Sequence, residues 1–175
     1  MKRAAILWIG LLATLVAVNM TVWRYEKLRL NGTVVLLELA PKDPRSLMQG
    51  DYMALRLAIS REVAVARESA PTDAEQTNQT SAPAPLRSGF VIVRPDASNV
   101  GQFVRVQADV QPHDPTEVAL PFRLGADGVE VVTTAFFFEE GRAKDFEAAL
   151  YGEFRVDETG QAILTGLRDE ALQPL

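Results

Sequence analysis

The chain has 175 residues, 47% of them apolar and 23% charged, which suits one modest domain with room for one further segment. It has no cysteine, so disulfides, thiolate metal sites and a cysteine nucleophile are excluded, and its single histidine leaves little for a transition-metal centre. The net charge of −5 is uneven: residues 1–29 carry +4 and the remainder −9, so the main body is a poor match for phosphate backbones and nucleic acid is not an expected partner.

Residues 4–23, AAILWIGLLATLVAVNMTVW, are 20 residues without a formal charge. As a helix rising about 1.5 Å per residue they span about 30 Å, the thickness of a bilayer core. Trp23 and Tyr25 suit the interface at the far end. Lys2 and Arg3 favour a cytoplasmic N-terminus, whereas Arg24, Lys27 and Arg29 pull the other way. A cleaved signal peptide is the rival reading, but the run is long for one and no Ala-x-Ala site follows it. The expectation is an uncleaved anchor: residues 1–29 form the cytoplasmic tip, the bilayer-contacting span and a basic collar. Residues 30–175 then lie on the extracytoplasmic, periplasmic side of the cytoplasmic membrane.

Residues 33–40, TVVLLELA, read as a strand stopped by Pro41. Residues 52–59 read as a second, with Met53, Leu55, Leu57 and Ile59 on one face and Tyr52, Ala54, Arg56 and Ala58 on the other. Residues 61–68, REVAVARE, fit either an extension of that strand or a short helix. Residues 69–88 are rich in Pro, Ser, Thr, Gln and Asn and read as a flexible loop inside one domain. Strand patterns return at 90–94, at 102–110 with a regular alternation, and at 118–124, where Pro121 argues for a sheet edge. A further run, VEVVTTAFFF, covers 129–138. Residues 142–150 suggest a short helix with Ala143, Phe146 and Leu150 on one face, and 151–170 a final hairpin turning at 157–160. The expected class is α+β: a mainly antiparallel, β-rich domain of about seven or eight strands with one short helix, preceded by a single transmembrane helix.

The stretch DPRSLMQGDYMALRLAI carries turn chemistry and then a strand start. Gly50 accepts a positive φ, Asp51 accepts hydrogen bonds from nearby amides, and Tyr52 opens the strand, so a sharp corner of a first hairpin explains it without any chemistry. GDYMALRL also resembles the motif that names the GDYXXLXY family of bacterial membrane-anchored proteins. The approach APKDPRSLMQGDY and the block from Ala135 to Leu172 are similar to that family as well, and the resemblance weakens over residues 60–88. Gly50, Asp51, Tyr52 and Leu55 match the motif, whereas Leu57 stands where the family has tyrosine, which favours packing over a phenol's chemistry there. The resemblance implies an anchor followed by a small extracytoplasmic domain, no established enzymatic activity, and a multi-pass membrane protein as partner.

Rival chemistries are thinly supplied. A Ser-Lys membrane peptidase needs a serine beside an unprotonated lysine. Ser46 has only Lys42 nearby, while Lys2 and Lys27 belong to the anchor and Lys144 to the predicted helix. His113 with Asp114 and Glu117 makes at most a weak cation site in a turn, so no metal and no cofactor is expected. Glu139 and Glu140 could pair as acid and base for sugar hydrolysis, but adjacent strand residues point apart, and acids also suit the start of the following helix. Glu153 and Arg155 share a strand face as an exposed ion pair. In AFFF both faces want burial: either the strand is central and covered by the Phe146 helix, or one face meets a partner protein.

The reading is a non-enzymatic accessory or interaction module for an integral membrane protein. Gly50, Asp51, Tyr52, Leu55, Arg56, Glu139 and Glu140 are its motif and contact candidates. The alternative is a small-ligand or saccharide sensor, or a hydrolase, with Asp51, Glu139 and Glu140 as candidate acids.

Overall fold

The computed structural model describes residues 2–40, 52–69 and 86–175, with side chains from Trp8 onward in the first of these. Helix α1, Lys2–Asn31, runs for 30 residues without a proline. Thr14, Asn19 and Thr21 turn their side chains back to donate to the helix carbonyls of Gly10, Leu15 and Ala17 at 3.0, 2.8 and 2.9 Å, so their polar groups are satisfied within the helix. Its apolar side chains are exposed up to Trp23, but Leu28 is only 4% exposed. The last turns of α1 pack on the sheet that follows. Among the described residues no helix is long and apolar enough to cross a membrane. The charge-free run of the sequence begins at Ala4, ahead of the first described side chain.

Among the described residues nine strands follow: β1 (Thr33–Glu38), β2 (Tyr52–Ala54), β3 (Ser88–Pro95), β4 (Gly101–Gln107), β5 (Val118–Gly125), β6 (Gly128–Val131), β7 (Ala135–Phe137), β8 (Tyr151–Val156) and β9 (Ala162–Arg168). Helix α2, Ile59–Ser69, lies between β2 and β3, and a 3-10 helix, Ala143–Phe146, between β7 and β8. The strands form three antiparallel sheets, ordered β1-β8-β9, β2-β7 and β4-β3-β5-β6. The β-rich antiparallel character therefore holds, and α2 is the helical one of the two alternatives left open for residues 61–68.

One face of the four-stranded sheet carries Val91 and Val93 of β3, Val106 of β4, Leu120 and Phe122 of β5 and Val131 of β6. Val63 of α2 and Val35, Leu37, Phe154 and Val156 of the three-stranded sheet close over it, forming the main core. The regular alternation expected in β4 is broken by a bulge: Ile92 opposes Arg105 and Val93 opposes Phe103, so Val104 is the extra residue. The slip lets Phe103 pack on the same core as Val106.

Other expectations shift for identifiable reasons. The predicted strand 52–59 is only three residues long, and α2 starts at Ile59. Residues 61–68 are helical because Val63 is the core contact of an amphipathic helix, with Val65 left outside. The two predicted strands meet antiparallel only where residues 38–40 face 56–58, and the expected corner at Gly50 and Asp51 lies outside the described residues. β1 pairs with β8, and its end meets residues 56–58 through Ala40 N–H to Arg56 O (2.7 Å) and Ala58 N–H to Glu38 O (2.9 Å). Most of the predicted flexible loop, residues 70–85, lies outside the described residues.

β5 is central rather than an edge, since it pairs with both β3 and β6. Leu124 N–H bonds Arg87 O on the β3 side (2.7 Å) and Pro121 O receives Val132 N–H on the β6 side (2.9 Å). By alternation the missing N–H of Pro121 faces β6, opposite Val132, where β6 has already ended. Val132 takes φ +57°, which turns the chain away. The single run expected over 129–138 is thus two strands in different sheets.

Among the described residues β7 pairs with β2, in a sheet separate from that of β6. Phe136 and Phe138 sit 5.1 and 5.3 Å from the ring of Phe146, which covers one face as expected. Phe137 remains 75% exposed. Phe146, Met53, Leu55 and Leu167 form a second, smaller core. The expected helix over 142–150 contracts to one 3-10 turn. The final hairpin forms at the expected place, where Asp157 Oδ1 accepts from the N–H groups of Thr159 and Gln161 (both 2.9 Å) and Gly160 takes φ +74°. Glu153 is not an exposed partner of Arg155 (3.8 Å). It is mostly buried and bonded by Arg168 Nε at 2.7 Å.

The outer face of the four-stranded sheet carries the one buried charged residue among those described, Glu117, at 7% exposure. Arg105 grips it with two parallel bonds, Nη1 to Oε1 (3.0 Å) and Nη2 to Oε2 (2.8 Å). Arg94 Nη2 donates to Oε1 (3.1 Å), and the His113 N–H donates to Oε2 (3.2 Å). Arg105 Nε also donates to Gln107, whose amide donates to the carbonyls of Asp109 and Gln111 (both 2.8 Å). The network ties down the whole β4–β5 connection over Ile92 and Ala119. Hydrogen bonds from Arg105 hold the Glu117 carboxyl below the usual carboxylate range, against the opposing push of burial.

Two predictions follow from this packing. Glu117→Gln removes the charge that both arginines face and should lower stability by about 2 kcal/mol in urea unfolding of the full chain. Because the folded pKa is depressed, the Glu117 contribution is complete above the unfolded value of about 4.3 and is lost as pH falls through the lower folded value. Acidification below about pH 4 should therefore lower the melting temperature of the wild type more steeply than that of Glu117→Gln. Phe146→Ala should cost about 3 kcal/mol by opening a cavity under Phe136 and Phe138. Its hydrogen exchange should quicken first in β2 and β7, while β3 and β8 keep their protection.

Candidate binding cleft

Where β6 stops and the chain crosses to β7, a cleft of about 870 Å³ opens. Residues 127–131 line it with the turn and edge strand of the four-stranded sheet, and residues 133–135 with the crossing segment. Ala40, residues 54–57 and the first turns of α2, through Ser60, Arg61 and Ala64, line the rest. Local sequence explains each wall. Pro121 and Val132 end β6, Leu55 and Leu57 are buried and so anchor the segment between β2 and α2, and α2 is fixed by Val63.

The charges in the cleft are unequal in their satisfaction. Glu130 is engaged by Arg123 Nε at 2.7 Å. Arg56 and Arg61 are exposed, and their side chains have no ion pair or hydrogen bond among the described residues. Asp127 is likewise without a partner there. Thr134 gives its carbonyl to Leu55 N–H (2.7 Å), and the Thr133 hydroxyl donates to Ala135 O (3.2 Å). Among the described lining residues there is no histidine, lysine or tyrosine, so Ser60 has no base beside it. None is aromatic either, so no ring is available for a sugar to stack on. The arrangement offers cations, backbone groups and small apolar side chains, which is equipment for binding.

The sequence candidates scatter. Gly50 and Asp51 lie outside the described residues, and of Tyr52 only the backbone, in β2 opposite Phe137, is described. Leu55 is buried in the second core and Leu57 in the main core. Arg56 does reach the cleft. Glu139 and Glu140 are exposed in the turn before the 3-10 helix and do not line it. The Glu139 carbonyl accepts from Arg142 N–H at 3.2 Å. Ser46 and Lys42 also fall outside the described residues, and Lys144 is exposed. His113 is exposed, and the Glu117 carboxylate that might have joined it is fully engaged by arginines. Among the described residues no group of three or more histidines and carboxylates is placed to hold a metal ion.

Sequence reasoning missed Arg61 and the 127–131 edge. Arg61 sits in a segment that alternates like a strand, so its place on a helix face had no clear signal. The edge is made by topology, because only the pairing of β5 with both neighbours leaves the far side of β6 open.

The chain matches no curated protein and no solved structure. It does match the GDYXXLXY protein family over residues 14–167, a span that takes in α1 from its middle and every strand, and the chain therefore belongs to the GDYXXLXY family.

Proposed function

We propose that the chain is a membrane-anchored, extracytoplasmic accessory module without catalytic activity, and that it works on an integral membrane protein. The observation that carries the reading is α1. Trp8, Ile9, Leu11, Leu12, Leu15, Val16, Val18, Met20, Val22 and Trp23 each stand 51–71% exposed and cover more than half of the helix surface, and Gly10, Ala13 and Ala17 leave the remaining side without a charge. A helix that is apolar all round needs an apolar surrounding, and the charge-free run 4–23 has the length for a bilayer. The inward-turned polar groups of Thr14, Asn19 and Thr21 suit the same surrounding. Arg24, Lys27 and Arg29 then mark the interface, with Lys27 lying 5.6 Å over the Trp23 ring. The short N-terminal tip stays in the cytoplasm and residues 30–175 fold on the other side. The cleft's exposed arginines and backbone groups, with no nucleophile and base set together among its described lining residues, support an accessory role over an enzyme.

Membranes from cells making the full chain test this directly. The chain should stay in the pellet through an alkaline carbonate wash, and protease added from the extracytoplasmic side should digest residues 30–175 while sparing α1. Photocrosslinkers placed on the β domain should capture the same integral membrane protein from neighbouring positions. Release by carbonate would overturn the anchor. An anchored chain that crosslinks only to lipid would overturn the accessory role.

A further inference from the structure

We propose that the free edge of β6 takes an added strand: an extended, acidic peptide segment of another protein, laid into the cleft and held between that edge and Arg56 and Arg61. The site stands on the β domain alone and does not depend on how α1 is used.

The edge is fixed by two bonds already described. Leu124 N–H points to β3 and Pro121 O to β6, so residues 121, 123 and 125 of β5 face β6 and residues 122 and 124 face away. Their register partners follow. Glu130 and Gly128 bond β5, while Val129, opposite Leu124, and Val131, opposite Phe122, aim their backbone groups outward. The Val131 carbonyl is taken by Thr133 N–H at 2.7 Å. The Val129 N–H, the Val129 carbonyl and the Val131 N–H have no partner among the described residues. The Val129 N–H and carbonyl thus face the cleft together from one strand position, while Val131, only 2% exposed, keeps its N–H covered. Unpaired edge groups of this kind are the usual template for adding a strand.

Charge selects the occupant. The cleft's two unpaired arginines outweigh its one unpaired carboxylate, Asp127, and Glu130 is neutralised by Arg123. A strand with acidic residues on alternate positions presents them all to one side, where they meet the arginines, while its backbone pairs with β6. The missing aromatic surface disfavours a sugar. A lone small anion would leave the β6 edge and most of the 870 Å³ unused.

The test uses the full chain in detergent micelles and a fluorescent heptapeptide, acetyl-Thr-Glu-Val-Glu-Val-Glu-Thr-amide. Its controls are the counterpart with lysine at each glutamate and a version N-methylated at alternate residues. The glutamate peptide should bind saturably, with both controls at least tenfold weaker, and should slow hydrogen exchange across residues 128–131. The Arg56→Ala, Arg61→Ala double variant should bind it at least fivefold more weakly. Both side chains are exposed, so the variant should keep the wild-type melting temperature. Failure of the glutamate peptide to bind would overturn the proposal, and so would equal binding of the lysine peptide. Full competition by glutarate would reassign the cleft to small anions. Dimers of the free chain that protect the same edge would reassign it to a second copy.

Discussion

Pro121 has no N–H to give, and its empty position faces the place where β6 would have continued. At that point β5 still accepts the Val132 N–H but donates nothing back to the Val132 carbonyl, and there Val132 takes φ +57° and the chain leaves the sheet. The consequences spread outward. The aromatic run that follows cannot join the four-stranded sheet and pairs with β2 instead. That displaced pair brings Phe136 and Phe138 onto Phe146 and builds the second core. Between the end of one sheet and the start of the other lies the cleft. A missing donor on a central strand thus separates two cores and opens the space between them.

The two cores are stabilised differently. The main one is apolar and continuous, with Val35, Val91, Val93, Leu120 and Phe154 fully covered. Its cost appears on the sheet's other face, where Ile92 and Ala119 also need cover and no helix supplies it. Arg94, Arg105 and Glu117 provide that cover by laying charged groups and their aliphatic stems over the apolar floor. A carboxylate this buried is tolerable only because every bond it needs is supplied. Local polar bonding recurs at the turns. Asp96, Asp114, Asp157 and Asp169 each accept from an N–H two to four residues ahead.

Much of this fold can be read from residue patterns. β1, β3, β8 and β9 announce themselves as β-branched or alternating runs between turn residues, and the hairpin at 157–160 forms where its Asp and Gly place it. The misreadings share one cause, which is that tertiary pairing overrode a local pattern. REVAVARE fits a strand or a short helix in isolation, and the core decides between them, because only Val63 is needed there and a helix supplies that contact while spanning β4 to β6. Proline ordinarily marks an edge, and Pro121 sits centrally only because its missing bond coincides with the end of a neighbour. The bulge at Val104 is invisible in a run whose period is otherwise regular. The cleft was legible only through Leu55 and Arg56. Its most distinctive part is an unpaired backbone edge, and backbone edges leave no mark in the identity of side chains.

The joint between α1 and β1 sets how the β domain faces its surroundings. Asn31 ends the helix and Thr33 begins the strand, with Gly32 alone between them. A side chain at Gly32 would come within 2.5 Å of the Leu28 carbonyl, so the corner admits no larger residue. Arg155 of β8 donates to the Gly32 carbonyl at 3.2 Å, and Leu28 is buried against the domain. A flexible linker would let the domain tumble about its attachment. Here the helix axis, β1 and the sheet it belongs to are locked together. The cleft, lined in part by Ala40 just beyond β1, therefore keeps a fixed bearing to α1. Such a joint sets the orientation of the cleft before any contact, so less freedom would be lost on binding.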